Sequence, residues 1–130
     1  MISVIYAIIS AILIIHLSFE VIKTRRKLRI SVGDGNNEAL QTAQGAQSNA
    51  IEYIPISLLL LFYLEYNGAS NWIVHLAGVS LIIGRVVHAH GLLKGSLPRR
   101  VLGMQITIYV LVGLCLLNLA YLPWGKLLAL

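Results

Sequence analysis

Three short stretches of this chain carry side chains able to hold a small anionic ligand. Asn49, Glu52 and Tyr53 occur in "SNAIEYIP" at i, i+3 and i+4, a spacing that shares one helical face. Arg85 and His88 stand three apart in "GRVVHAHG", and Arg99 and Arg100 follow the proline of "PRRVLGM". Two readings are open for these groups. A Glu52–Arg85 or Glu52–Arg100 pair would simply tie helices together; alternatively, the same polar groups surround a ligand. Pro55 removes a backbone donor and frees the carbonyl of Ile51, which invites a partner at that level. Metal binding is not expected, because His88 and His90 at i, i+2 point to different faces and lack Cys or carboxylate companions. "GDGNN" lacks the lysine of a phosphate loop, and no Ser-His-Asp arrangement is evident.

The elements that must position these groups are apolar. Of 130 residues, 58% are hydrophobic and 12% charged, against roughly 45–50% and about 25% in soluble domains; the mean hydropathy is +0.81. This predicts one all-α, integral membrane domain, an up-down-up-down four-helix bundle with helices near residues 2–22, 38–66, 72–92 and 99–122. Each reaches the roughly 20 residues that a transmembrane helix needs. Asn71 is the expected N-cap of the third helix, and Pro98 suits the first turn of the fourth. His16 and His75 read as structural residues, and the single cysteine, Cys115, as an inert small hydrophobe.

The net charge of +5 resides mainly in two connections: Lys23, Arg25, Arg26, Lys27 and Arg29 in the first, and Lys94, Arg99 and Arg100 in the third. The basic residues have no aromatic interleaving, so nucleic acid is not an expected partner. Basic loops face the cytoplasm, which predicts both termini outside and the polar groups at the inner leaflet.

Four short spans, a basic first loop, and the strings "AQSNAIEYIP", "GRVVHAHG" and "PRRVLGM" together resemble the MAPEG family. These are the membrane-associated proteins of eicosanoid and glutathione metabolism. The likeness covers nearly the whole chain, is strongest to short bacterial members similar to microsomal glutathione transferases, and rests most specifically on N-x-x-E-Y-x-P. It implies a homotrimer in the bacterial inner membrane, with glutathione as co-substrate between subunits near the cytoplasmic face. A hydrophobic electrophile would arrive from the bilayer lipids. In that resemblance Asn49, Glu52 and Tyr53 match ligand-binding positions, and Gln47 matches a polar position lining the site. Arg85 matches an arginine of the third helix, and His88 stands where eukaryotic members often carry tyrosine. Arg100 matches the arginine that stabilises the glutathione thiolate, with Arg99 the competing choice. Gly45 departs from the pattern, standing where the family commonly has an arginine that contacts the anionic ligand. Loss of one charge-assisted hydrogen bond, about 1.5–3 kcal/mol, predicts weakened binding and activity. A non-catalytic lipid- or ligand-binding member of the same fold is the second reading. A small multidrug/proton antiporter is the third, although its carboxylate would lie mid-span in the first helix, whereas Glu20 lies at that helix's inner end.

Overall fold

The first apolar run forms helix α1, Ser3–Leu28, in the computed structural model, which describes residues 1–129. This helix continues six residues past the expected end at Ile22. Lys, Arg and Leu are good helix formers, and nothing interrupts them until Arg29 takes a left-handed conformation with φ 55°. The Arg25 side chain then turns back and donates to the carbonyls of Ile30 (3.3 Å) and Gly33 (2.8 Å), closing the first turn of the loop. Helix α2, Glu38–Tyr66, is capped by Asn37, whose Oδ1 accepts from the Leu40 N–H at 3.1 Å. Helix α3 is Asn71–Leu93; Ser70 occupies the N-cap position, so Asn71 is the first helical residue instead of the cap. Helix α4, Leu97–Tyr121, has Pro98 in its first turn, and a short α5, Trp124–Leu128, follows.

Helices α2 and α3 form the middle of the bundle. Both touch α1 on one flank and α4 on the other, while α1 and α4 do not meet among the described residues. Three apolar layers register α2 along α1. Val21 packs with Leu40 and Ala43 at one end; Leu17 with Ala46, Ala50 and Ile54 in the middle; Tyr6 with Leu61 and Leu64 at the other end. By length and composition α1, α3 and α4 can each cross a membrane. The expectation of four such spans is not met by α2 on that criterion, because its N-terminal half is polar. It nevertheless lies in register with α1 along its length. The outward face of α1 is apolar, with Ile8, Ile12, Ile15 and Phe19 all more than half exposed, as suits contact with lipid. Cys115 is exposed on α4 rather than buried. The Tyr6 hydroxyl lies 2.7 Å from His75 Nδ1, giving that histidine a structural partner.

The ends of α1 and α2 distal to the basic loops are joined electrostatically. The Glu65 carboxylate accepts from the backbone N–H groups of Ile2 and Ser3, the latter at 2.8 Å. The first turn of a helix has unsatisfied donors and a positive dipole end, so a carboxylate from a neighbouring helix serves as its cap. Glu65→Leu is expected to lower stability by about 1–2 kcal/mol, read as a fall in the melting temperature of the purified protein in detergent. Glu65→Gln, which retains an acceptor oxygen, should lose less.

Helices α3 and α4 approach backbone to backbone. A Cβ on Gly103 would lie 2.2 Å from the His88 backbone nitrogen, and one on Gly91 would lie 2.4 Å from the Arg100 nitrogen. Gly84 packs less closely, with a Cβ there 2.9–3.1 Å from Ile106 and Thr107. These glycines set the separation of His88 and Arg100. Gly103→Ala therefore forces the helices apart against rigid backbone, an overpacking cost of about 1–3 kcal/mol; thermal unfolding in detergent measures it.

Candidate functional site

At the end of the bundle that carries the basic residues, α2, α3 and α4 contribute one side chain each to a common point. Asn49 comes from α2, His88 from α3 and Arg100 from the first turn of α4. His88 is buried, and its Nδ1 lies 3.0 Å from the carbonyl oxygen of Arg100. A carbonyl only accepts, so Nδ1 carries the proton and donates. This bond fixes the backbone of Arg100, while the Arg100 side chain stays exposed.

Asn49 is oriented from behind by Arg85. The guanidinium is almost completely buried, at 1% exposure. Its Nη2 donates to Asn49 Oδ1, its Nη1 donates to Thr107 Oγ1 at 3.3 Å, and it stands 5.6 Å from the centre of the Tyr53 ring. Partners that are neutral surround this cation, and Nε has none. Cation–π contact with Tyr53 supplies part of the compensation. The Asn49 amide nitrogen is left facing Met104 Sδ at 4.0 Å.

Two adjoining spaces meet at Asn49, His88 and Arg100. One is a recess of about 280 Å³ whose other walls are Glu38, Gln41, Thr42 and Gly45, with Leu92 the one large apolar side chain. The second is a groove of about 680 Å³ that runs along α4 past Leu97, Val101, Met104 and Ile108. Thus a polar chamber and an apolar channel share three walls, one of them a cation. A cleft of about 890 Å³ on the α1 flank, reached by His16, Glu20, His90 and Lys94, adjoins the recess at Glu38, Thr42 and Leu92 and contains none of the expected site residues.

The remaining expected residues lie elsewhere. Gln47 donates its side-chain amide to Ser18 Oγ at 3.0 Å and so faces α1. Arg85 and Tyr53 sit behind Asn49 and position it, without lining the recess or the groove. Glu52 is exposed and lines neither space. The Glu52–Arg85 and Glu52–Arg100 pairs are both absent; the single ion pair among the described residues is Glu20–Lys23 at 3.1 Å. Glu52 instead continues an outward stripe with Gln41, Gly45 and Ser48. Arg99 lies beside His90, with Nη1 to Nδ1 at 3.3 Å, and turns away from the shared point.

The apolar walls were not among the residues singled out from the sequence. Counting three and four positions along α4 from Arg100 reaches Met104 and, one turn further, Ile108, so the helical period carried the signal.

Residues 3–120 match the model of the MAPEG family. The chain is 40% identical over 124 residues to the "Inner membrane protein YecN" of Escherichia coli strain K12, with 95% of each chain covered. The protein of the same description from Escherichia coli O6:H1 matches to the same extent.

Proposed function

The chain belongs to the MAPEG family, and on that premise we propose that it is a glutathione transferase-like enzyme of the bacterial inner membrane. The reading rests on one observation above others: the polar recess and the apolar groove share Asn49, His88 and the exposed Arg100. A transferase joining a polar thiol to a greasy electrophile needs two such compartments meeting at the reacting atoms. Glutathione occupies the recess, with its sulfur at Arg100. The free thiol has a pKa near 8.5, and a guanidinium within hydrogen-bonding reach favours the thiolate, which is the nucleophile. The thiol proton leaves to water. The sulfur then bonds to an electrophilic carbon held along Val101, Met104 and Ile108, and that carbon releases its leaving group. Arg suits the role because it stays protonated and presents a rigid fork of donors.

Glu52 enters this scheme from a neighbouring copy. Its carboxylate is exposed without an ionic partner among the described residues, an expensive arrangement in a membrane unless another surface covers it. A homotrimer that buries the stripe of Gln41, Gly45, Ser48 and Glu52 would bring this carboxylate toward the amino group of glutathione. The basic ends of α1 and α4 orient the recess toward the cytoplasm by the positive-inside rule. Purified protein mixed with glutathione should develop the ultraviolet absorbance of a thiolate and conjugate a reactive aryl halide. Neither signal should appear in a protein of the second reading, a non-catalytic binder, which Gly45 in the recess favours.

A further inference from the structure

A different surface at the same end of the bundle concerns the lipid around the protein. Where α1 ends, Ile22, Arg25, Arg26, Arg29, Ile30 and Ser31 enclose a groove of about 420 Å³. Arg25 is committed to the carbonyls of Ile30 and Gly33, and this fold-back carries Ile30 and Ser31 against the helix end. Arg26 and Arg29 are exposed and have no acidic partner among the described residues. Glu20 is paired with Lys23. Asp34 accepts from the Asn36 N–H at 2.9 Å and from the Gln41 amide at 3.2 Å, so it too is turned elsewhere. The groove therefore presents uncompensated guanidinium charge above an isoleucine floor.

The floor leads into hydrocarbon. From Ile22, steps of three and four residues reach Phe19, Ile15, Ile12 and Ile8, all exposed. They form one continuous apolar stripe on α1, beginning where the arginines end. A cationic pocket at the boundary, continuous with an apolar track running into the membrane, complements a molecule with an anionic head and an acyl chain. We propose that this groove is a binding site for an anionic phospholipid of the adjoining leaflet, its phosphate held by Arg26 and Arg29 and one acyl chain lying along Ile22, Phe19 and Ile15. The proposal is independent of the enzymatic reading, since it uses none of the residues of the recess.

The test is lipid retention measured by native mass spectrometry after reconstitution into mixed phosphatidylglycerol and phosphatidylcholine bilayers. Wild-type protein should keep phosphatidylglycerol in preference to phosphatidylcholine. Arg26→Gln combined with Arg29→Asn, the latter chosen because Asn tolerates a left-handed backbone, should reduce that preference about tenfold or more. Lys27→Gln combined with Lys94→Gln removes the same charge outside the groove and should change it little. Arg26→Gln alone should give an intermediate loss if the double substitution fails to fold. Equal losses in the two double variants would reduce the effect to general charge attraction and overturn the site. Displacement of the lipid by inorganic phosphate at equal concentration would identify a free-anion site instead and overturn the lipid assignment.

Discussion

Gly45→Arg is expected to tighten glutathione binding by about ten- to a hundredfold. Gly45 lines the recess with Asn49, His88 and Arg100 and is exposed. A Cβ there would meet only the Leu92 Cδ2 atom, at an ordinary 3.8 Å, so the helix accepts a side chain without rearrangement. The new guanidinium can reach a carboxylate in the recess, and a hydrogen bond to a charged group contributes about 1.5–3 kcal/mol, which corresponds to about one to two powers of ten in affinity. Replacing a mid-helix glycine also removes a penalty of about 1 kcal/mol, so the melting temperature should rise as well. Gly45→Gln separates the two effects: it should give the stability increment with little of the affinity. Calorimetric titration with glutathione reads the outcome. A stabilised Gly45→Arg protein whose affinity is unchanged would mean that no ligand carboxylate lies in the recess.

Arg100→Ala is expected to reduce conjugation by about 10²–10³-fold, the range found when one preorganised donor to a developing or resident anion is removed. The side chain is the single cation common to the recess and the groove, and its backbone is anchored independently through the His88 bond. Truncation at Cβ thus removes charge while leaving the bundle intact. The thiolate absorbance should fall in parallel with the rate, because the same contact sets the fraction of ionised thiol. Arg99→Ala should change either quantity only slightly, since Arg99 is directed at His90. Similar losses in both variants would point to a general electrostatic field at the loop, and full activity in the double variant would remove arginine from the mechanism.

The long helices were legible because apolar length and breakers are local properties. The end of α1 at Leu28 is hidden for a reason that is also local: a run of Lys and Arg resembles a loop by polarity but a helix by propensity. The site was legible only in part. Asn49 and Glu52 are three residues apart, about 60° of helical rotation, which reads as a shared face. In the bundle that angle separates a residue against α3 and α4 from one on the outer stripe. Gln47, two residues before Asn49, is rotated by about 200° and meets α1. Sequence also suggested a carboxylate for Arg85, whereas Asn49, Thr107 and Tyr53 surround it. Which helix faces which is decided by packing among distant segments, so the convergence of Asn49, His88 and Arg100 had no local signature.

The glycine contacts between α3 and α4 bear on how the protein tolerates different membranes. With main chain resting on main chain, these two helices behave as one plank, and the spacing of His88 and Arg100 is set by covalent dimensions instead of rotamers. Helix α1 has no contact with α4 and packs on α2 and α3 through side chains, so the change of tilt that answers hydrophobic mismatch falls on this side-chain interface when acyl chains are shorter or longer. Adaptation to bilayer thickness is thereby assigned to one side of the molecule, and the arginine-bearing hairpin on the other side keeps its geometry.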